Sequence, residues 1–131
     1  MPTESISEIR PTGGGDYTSL QAWESGEQAD LVAADEIAIA ECYTPGNLST
    51  DTSTALTVTG WTTDATRYIE IRAGVGSEND GTFSVGAVFA VAAGTLDAWL
   101  ISGVDVFRCK DIQVRSASAN SECIGFSGLS S

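Results

Sequence analysis

Residues 100–115 read Leu100-Ile101-Ser102-Gly103-Val104-Asp105-Val106-Phe107-Arg108-Cys109-Lys110-Asp111-Ile112-Gln113-Val114-Arg115. Two short apolar pairs stand in this stretch, Val104 with Val106 and Ile112 with Val114, each alternating with polar neighbours as strand residues do. A polar corner at residues 108–111 separates them, and it carries no Asn-Gly hairpin signal. A chain that turns such a corner without reversing predicts one coil of a solenoid, whose short strands stack into parallel sheets.

The rest of the chain has the same grain. Ile37 and Ile39 alternate within residues 36–43 and are expected to face inward, as are Leu56 with Val58 and Ile69 with Ile71. Short polar turns separate these runs, among them Thr44-Pro45-Gly46-Asn47 and the loop of residues 74–81. Residues 82–91 predict one or two further strands, and Cys123-Ile124-Gly125-Phe126 begins another. The one strong helix signal lies near residues 18–25. Thr18 is a good N-cap with Gln21 three residues on, Leu20 and Trp23 share a face, and Gly26 ends the run. A weaker helical turn is expected through residues 27–31. No helix signal separates the later strands, so a doubly wound sheet is disfavoured. The predicted class is all-β, a short parallel solenoid with an N-terminal capping helix; a β-sandwich is the alternative. Residues 1–12 are read as an arm or strand, and 13–131 as a single domain.

Composition narrows the function. The chain has 131 residues, 18 acids, 6 bases and no histidine, for a net charge of −12. Histidine-based triads and histidine metal sites are impossible without the residue. A strongly acidic chain repels a phosphate backbone, so no nucleic-acid partner is expected. At 42% hydrophobic the chain has the means to build a core. The first residues, Met1-Pro2-Thr3-Glu4-Ser5-Ile6, lack a basic and then apolar leader, and no run reaches the roughly 18–20 apolar residues of a membrane span. Neither a secretory signal nor a membrane partner is expected. Cys42, Cys109 and Cys123 match no zinc spacing and read as buried free thiols, with a Cys109–Cys123 bridge as the alternative.

The segment Gly15-Asp16-Tyr17-Thr18-Ser19-Leu20-Gln21-Ala22-Trp23, followed by Ala34-Asp35-Glu36-Ile37-Ala38-Ile39 and then Tyr43, resembles the N-terminal cap of right-handed parallel β-helix (pectin-lyase-like) proteins. The likeness spans residues 13–43, and residues 104–114 are similar to an ordinary coil of that family. Trp23 and the run Gly60-Trp61-Thr62-Thr63-Asp64-Ala65-Thr66-Arg67-Tyr68-Ile69 resemble its phage and prophage members. That resemblance implies a cap helix plugging the open end of the solenoid with Leu20 and Trp23. It also implies a role in virion structure.

Candidate chemistry is sparse. In the family, enzymes cluster Asp with Arg on the outer face of one sheet, which makes Asp105, Arg108, Asp111 and Arg115 the residues to inspect. Paired carboxylates can hydrolyse glycosides, but Asp beside a turn commonly bonds its own backbone. No catalytic, cofactor or metal residue is assigned. Glu78-Asn79-Asp80 is the loop in which calcium is conceivable. Trp61, Trp99 and Tyr43 could stack on sugars, and Trp61, between Gly60 and two threonines, is expected to be the most exposed. The ending Ser127-Gly128-Leu129-Ser130-Ser131 offers no cap, which predicts either that the last coil is covered by another chain or that the fold closes differently. The expectation is therefore a non-enzymatic virion structural protein of a phage-like particle, a capsid decoration or a tail or fibre component. It would bind other virion proteins, form a homo-oligomer such as a trimer, and be exposed on the particle after synthesis in the host cytoplasm. The alternative is a carbohydrate-binding or polysaccharide-depolymerising module.

Overall fold

A computed structural model describes residues 1–43, 56–78, 88–91, 99–116 and 124–127. The order is β1 (Thr3–Ile9), α1 (Leu20–Glu27), α2 (Leu31–Ala34), β2 (Glu36–Cys42), β3 (Leu56–Val58), β4 (Ile69–Ala73), β5 (Val88–Val91), β6 (Trp99–Ser102), β7 (Phe107–Lys110), β8 (Gln113–Ser116) and β9 (Ile124–Ser127). The strands make three sheets, ordered β1-β2-β4-β7, β3-β6-β9 and β5-β8. Every strand pairing among the described residues is parallel.

The expected all-β solenoid is corrected. The described residues form a small α/β domain with a four-stranded parallel sheet, two smaller sheets and two short helices. The overturning element is the connection between β1 and β2. These strands pair in parallel from Thr3 against Glu36 to Ile9 against Cys42. Parallel neighbours need a crossover of a dozen or more residues, and here the crossover carries both helices. Leu20 and Trp23 of α1 and Leu31 of α2 are buried in the same core as Ile9, Ala40 and Ile71. The β-sandwich alternative is corrected as well, because it requires antiparallel sheets.

Helix boundaries follow from caps. Ser19, one residue after the expected cap, is the N-cap of α1, and its hydroxyl accepts the Ala22 N–H at 3.2 Å. Asp30 caps α2 through the Ala33 N–H at 2.9 Å. The weak second helix lies at Leu31–Ala34, past residues 27–31, and ends on Asp35 at φ 56°. Gln21 makes no capping box. Its side-chain Oε1 accepts the Thr57 N–H of β3 at 3.0 Å, while buried Glu24 accepts the Thr59 N–H at 3.2 Å and the Trp61 indole N–H at 3.3 Å. The Gln28 amide donates to the Thr59 carbonyl. β3 is an edge strand, so the side chains of α1 take the place of a neighbouring strand.

β2 corrects one register reading. Ala38, Ala40 and Cys42 belong to the core cluster, while Ile37 and Ile39 lie on the opposite face. Ile39 is nonetheless buried there, in register with Ile6 and Glu70. The corner expected at residues 108–111 is also displaced. Phe107–Lys110 is itself β7, and the turn falls on Asp111 at φ 58°. The turn at residues 44–47 and the strand reading for residues 82–87 lie outside the described residues. No described helix is long and apolar enough to cross a membrane.

Trp61 is only 3% exposed and stacks on Trp23, ring centroids 5.5 Å apart, so its expected exposure is corrected. The indole is core because the loop after β3 is tied to the crossover by the Leu31 N–H to the Thr62 carbonyl and the Thr62 N–H to the Ala29 carbonyl. Trp61→Ala should therefore cost about 3–5 kcal/mol of stability, as large buried aromatics do when truncated. Urea unfolding followed by circular dichroism measures it. A loss below about 1 kcal/mol would mark a surface residue.

Candidate functional site

Alternation along the strands sorts the four-stranded sheet into two faces. The inner face presents Ile9, Ala38, Ala40, Cys42, Ile69 and Ile71 to the core. The outer face carries two register rows across all four strands. One runs Ile6, Ile39, Glu70, Arg108, and the other Glu8, Glu41, Arg72, Lys110. Parallel in-register pairing brings these charged side chains together from four distant segments.

The contacts form a continuous chain. The Arg10 Nε donates to Glu8 Oε2 at 2.9 Å, and the guanidinium lies 3.9 Å from the centroid of the Tyr43 ring. The Tyr43 hydroxyl donates to Glu41 Oε1. Arg72 donates to Glu41 Oε2 through Nε at 3.2 Å and Nη2 at 2.9 Å, and to Glu70 Oε1 through Nη1 at 3.3 Å. Gly74 is required beside it, because a Cβ there would run into the Tyr43 ring. On the neighbouring row Arg108 stacks on Tyr68 at 3.8 Å and donates to its hydroxyl at 3.1 Å.

These contacts fix protonation. The Tyr43 hydroxyl, with Arg72 behind it, holds the Glu41 carboxyl below the usual range although partial burial opposes this. Glu41 in turn holds the Tyr43 phenol protonated to higher pH. Partial burial disfavours the Arg72 cation, but Glu41 and Glu70 outweigh it and raise its pKa. Arg10 is raised by its bond to Glu8. Glu41 is thus an ionised acceptor at neutral pH, the opposite of a general acid, which needs a raised carboxyl.

The structure does not gather the residues singled out from the sequence. Arg108 is on the outer face, but Asp105 precedes β7 and Asp111 follows it. β7 alone spans roughly 10 Å at 3.3 Å per residue, beyond the roughly 5–9.5 Å between paired glycosidase carboxyls. The backbone N–H groups of Asp105 and Val106 donate to Thr63 Oγ1 at 3.1 and 3.2 Å, so this segment is anchored as a turn. Arg115 lies in β8. Trp99 is fully buried edge-on to Phe107 at 5.9 Å, and with Trp61 it leaves the candidate sugar surface. Tyr43 stays on the outer face. Glu78 accepts the Gly76 N–H at 2.8 Å, while Asn79, Asp80 and Cys123 lie outside the described residues. Among the described residues no cluster of three or more His, Cys, Asp or Glu could hold a metal ion. Cys42 is buried as expected, with its thiol pushed up by burial. Cys109 is a free thiol but exposed, its pKa raised to about 11 by local desolvation first and by Asp111 second.

Sequence reasoning missed Glu8, Arg10, Glu41, Glu70 and Arg72 as a unit. The available signal was alternation: Glu41, Glu70 and Arg72 each sit between apolar residues, which places them on the face opposite the core. Comparison of the chain with protein-family models, with curated proteins and with solved structures found no match.

The ladder has a pH signature. The folded pKa of Glu41 lies below the unfolded value of 4.5, so its contribution is present above that value and is lost as pH falls through the folded pKa. Glu41→Gln should lower stability at pH 7 by about 1–2 kcal/mol and flatten the acid side of the stability–pH curve. Urea titrations from pH 7 to pH 3 check it. An acid limb identical to that of the unaltered chain would show that the ladder contributes nothing there.

Proposed function

We propose that this chain is a non-enzymatic structural subunit of a phage-like particle, a capsid decoration or a tail or fibre component. It docks to other virion proteins and presents a rigid outer surface, reaching its place on the particle after synthesis in the host cytoplasm. The observation that carries the reading is Glu41. Its carboxylate is fastened by the Tyr43 hydroxyl and by two nitrogens of Arg72, and Arg72 also binds Glu70. A carboxylate held ionised with its lone pairs engaged is a poor proton donor and a good strut. The ladder joins side chains from three strands and stiffens the plate they stand on, which suits a part that bears contacts. The virion setting rests on the resemblance of Trp23 and residues 60–69 to phage and prophage proteins that was read from the sequence.

Particles purified from a lysate of the host that carries the gene provide the test. Protein mass spectrometry should find the chain in fixed proportion to the major capsid or tail protein, and gold-labelled antibody should decorate the particle exterior. A chain absent from washed particles overturns the reading. So does turnover of a polysaccharide by the purified chain, which would shift it to the depolymerase class.

A further inference from the structure

We infer that the edge of β7 takes up an extended acidic strand from a different protein, which prolongs the four-stranded sheet by one member. The inference rests on reading the chain as an assembly subunit and names the chemistry of the partner segment it docks.

The two edges of this sheet are not alike. The order β1-β2-β4-β7 makes β1 and β7 its outer members. Residues 15–17 lie along the outer side of β1. Tyr17 bridges Ile9 in parallel, the Arg10 N–H bonds the Tyr17 carbonyl, and the Asp16 and Tyr17 N–H groups share the Glu8 carbonyl. That edge is closed. On β7 no described residue takes the corresponding place. The Ala38 N–H bonds the Tyr68 carbonyl and the Gly74 N–H bonds the Cys42 carbonyl, so the even-numbered residues of β4 face β2. Its odd-numbered residues are left for β7. With Ile71 in register with Cys109, the backbone of Arg108 and Lys110 answers β4, and the N–H and carbonyl groups of Phe107 and Cys109 point away from it. An edge of this kind is a template for a further strand.

The core is incomplete at the same place. The inner row Ser7, Ala40, Ile71, Cys109 is buried through Ile71, but Cys109 is exposed. Phe107, in the neighbouring inner row, is only half-buried. One further strand with apolar side chains on its inner face would cover both.

Charge selects the occupant. Arg10, Arg67 and Arg72 are paired with carboxylates, whereas Arg108 and Lys110 form no ion pair among the described residues. Arg108 gives Nη1 to the Tyr68 hydroxyl, and no described residue bonds its Nε or Nη2. Cations on an exposed edge keep like edges apart. Two β7 strands meeting about a two-fold axis would set Arg108 against itself or against Lys110, which is unfavourable. The acidic edge strand of a second copy, β1, is already covered. The complement is therefore a foreign strand that alternates apolar with acidic residues. β4 shows that pattern on the other side of β7, with Ile69 beside Phe107, Glu70 beside Arg108 and Ile71 beside Cys109. The chain's net charge of −12 does not forbid an acidic partner, because salt at physiological strength screens exposed charges beyond about 8 Å.

Fluorescence anisotropy with the full chain tests this, the probe being a labelled octapeptide that alternates isoleucine with glutamate. The expected result is saturable binding that weakens with added salt. A twin peptide with lysine for every glutamate should bind about tenfold more weakly or worse. Arg108→Glu with Lys110→Glu should reverse that preference. A second twin, N-methylated at alternate residues, keeps the charges but cannot pair as a strand, and it should not bind. This probe needs no altered protein. Amide hydrogen exchange followed by NMR locates the contact: the Phe107 and Cys109 amides should slow when the acidic peptide saturates the chain. Absence of binding, equal binding of the lysine or N-methylated twin, or unchanged exchange at Phe107 and Cys109 overturns the inference. So does self-association that already protects those two amides. A particle-bound chain that ignores the acidic peptide would defeat this inference alone. A chain that pairs with the peptide but is absent from particles would defeat only the virion role.

Discussion

The first strand of a parallel stack has N–H groups with no strand before it to receive them, and the fold depends on how this chain supplies receivers at β3. Leaving backbone donors unmet in a closed core costs roughly 1–3 kcal/mol each. The side chains of α1 meet the demand, Gln21 at Thr57 and Glu24 at Thr59. Glu24 is 4% exposed, and a buried carboxylate is tolerable only when donors surround it. Thr59, the Trp61 indole and the Gln21 amide are those donors. The helix that closes the end of the core is therefore also a polar substitute for a strand. Its position in turn orients Trp23 against Trp61.

The outer face of the four-stranded sheet solves a different problem. With a net charge of −12, neighbouring strands could easily set acid against acid, and Glu8 does stand in register with Glu41. Arg10, Tyr43 and Arg72 relieve that contact by supplying donors on either side of it. A second group at the far corner works alike. Asp64 holds the backbone of Thr66 and Arg67, bonds that keep its carboxyl near 2, while Arg67 bridges to Asp35 at the end of α2. Salt bridges this exposed contribute little individually. Their effect is on shape, since each fixes where a turn or strand end lies.

How much of this was legible depended on which physical signal each residue carried. The existence of α1 followed from Leu20 and Trp23 on one helical face, and the strands followed from alternation at residues 56–58 and 69–73. The face of β2 did not, because residues 37–40 are apolar at both alternations and only Glu41 marks the outer one. Three indoles already fill the interior, so the small Ala38 and Ala40 go inside and the larger Ile39 is buried outside. Trp61 was misplaced because its glycine and threonine neighbours suggested a surface loop, while the stacking partner is 38 positions earlier in the chain. The α/β class was missed because the crossover's helices are short and uncovered by any long periodic pattern. The ladder was hidden for the same reason: register between distant strands is a property of the folded sheet, and Glu41 and Arg72 meet only once β2 and β4 have paired.

The bonds from α1 to β3 also set an order of events. They join residues 35 to 37 positions apart, and a helix of eight residues is too short to persist in water by itself. The closing helix cannot be held until residues 57–61 have reached it, and loop closure over such a span must be met before any of these contacts form. During synthesis the helix emerges early and stays unplaced while the strands it will cover are still being made. Helix α1, though early in the sequence, is thus secured only after residues 57–61 have been made.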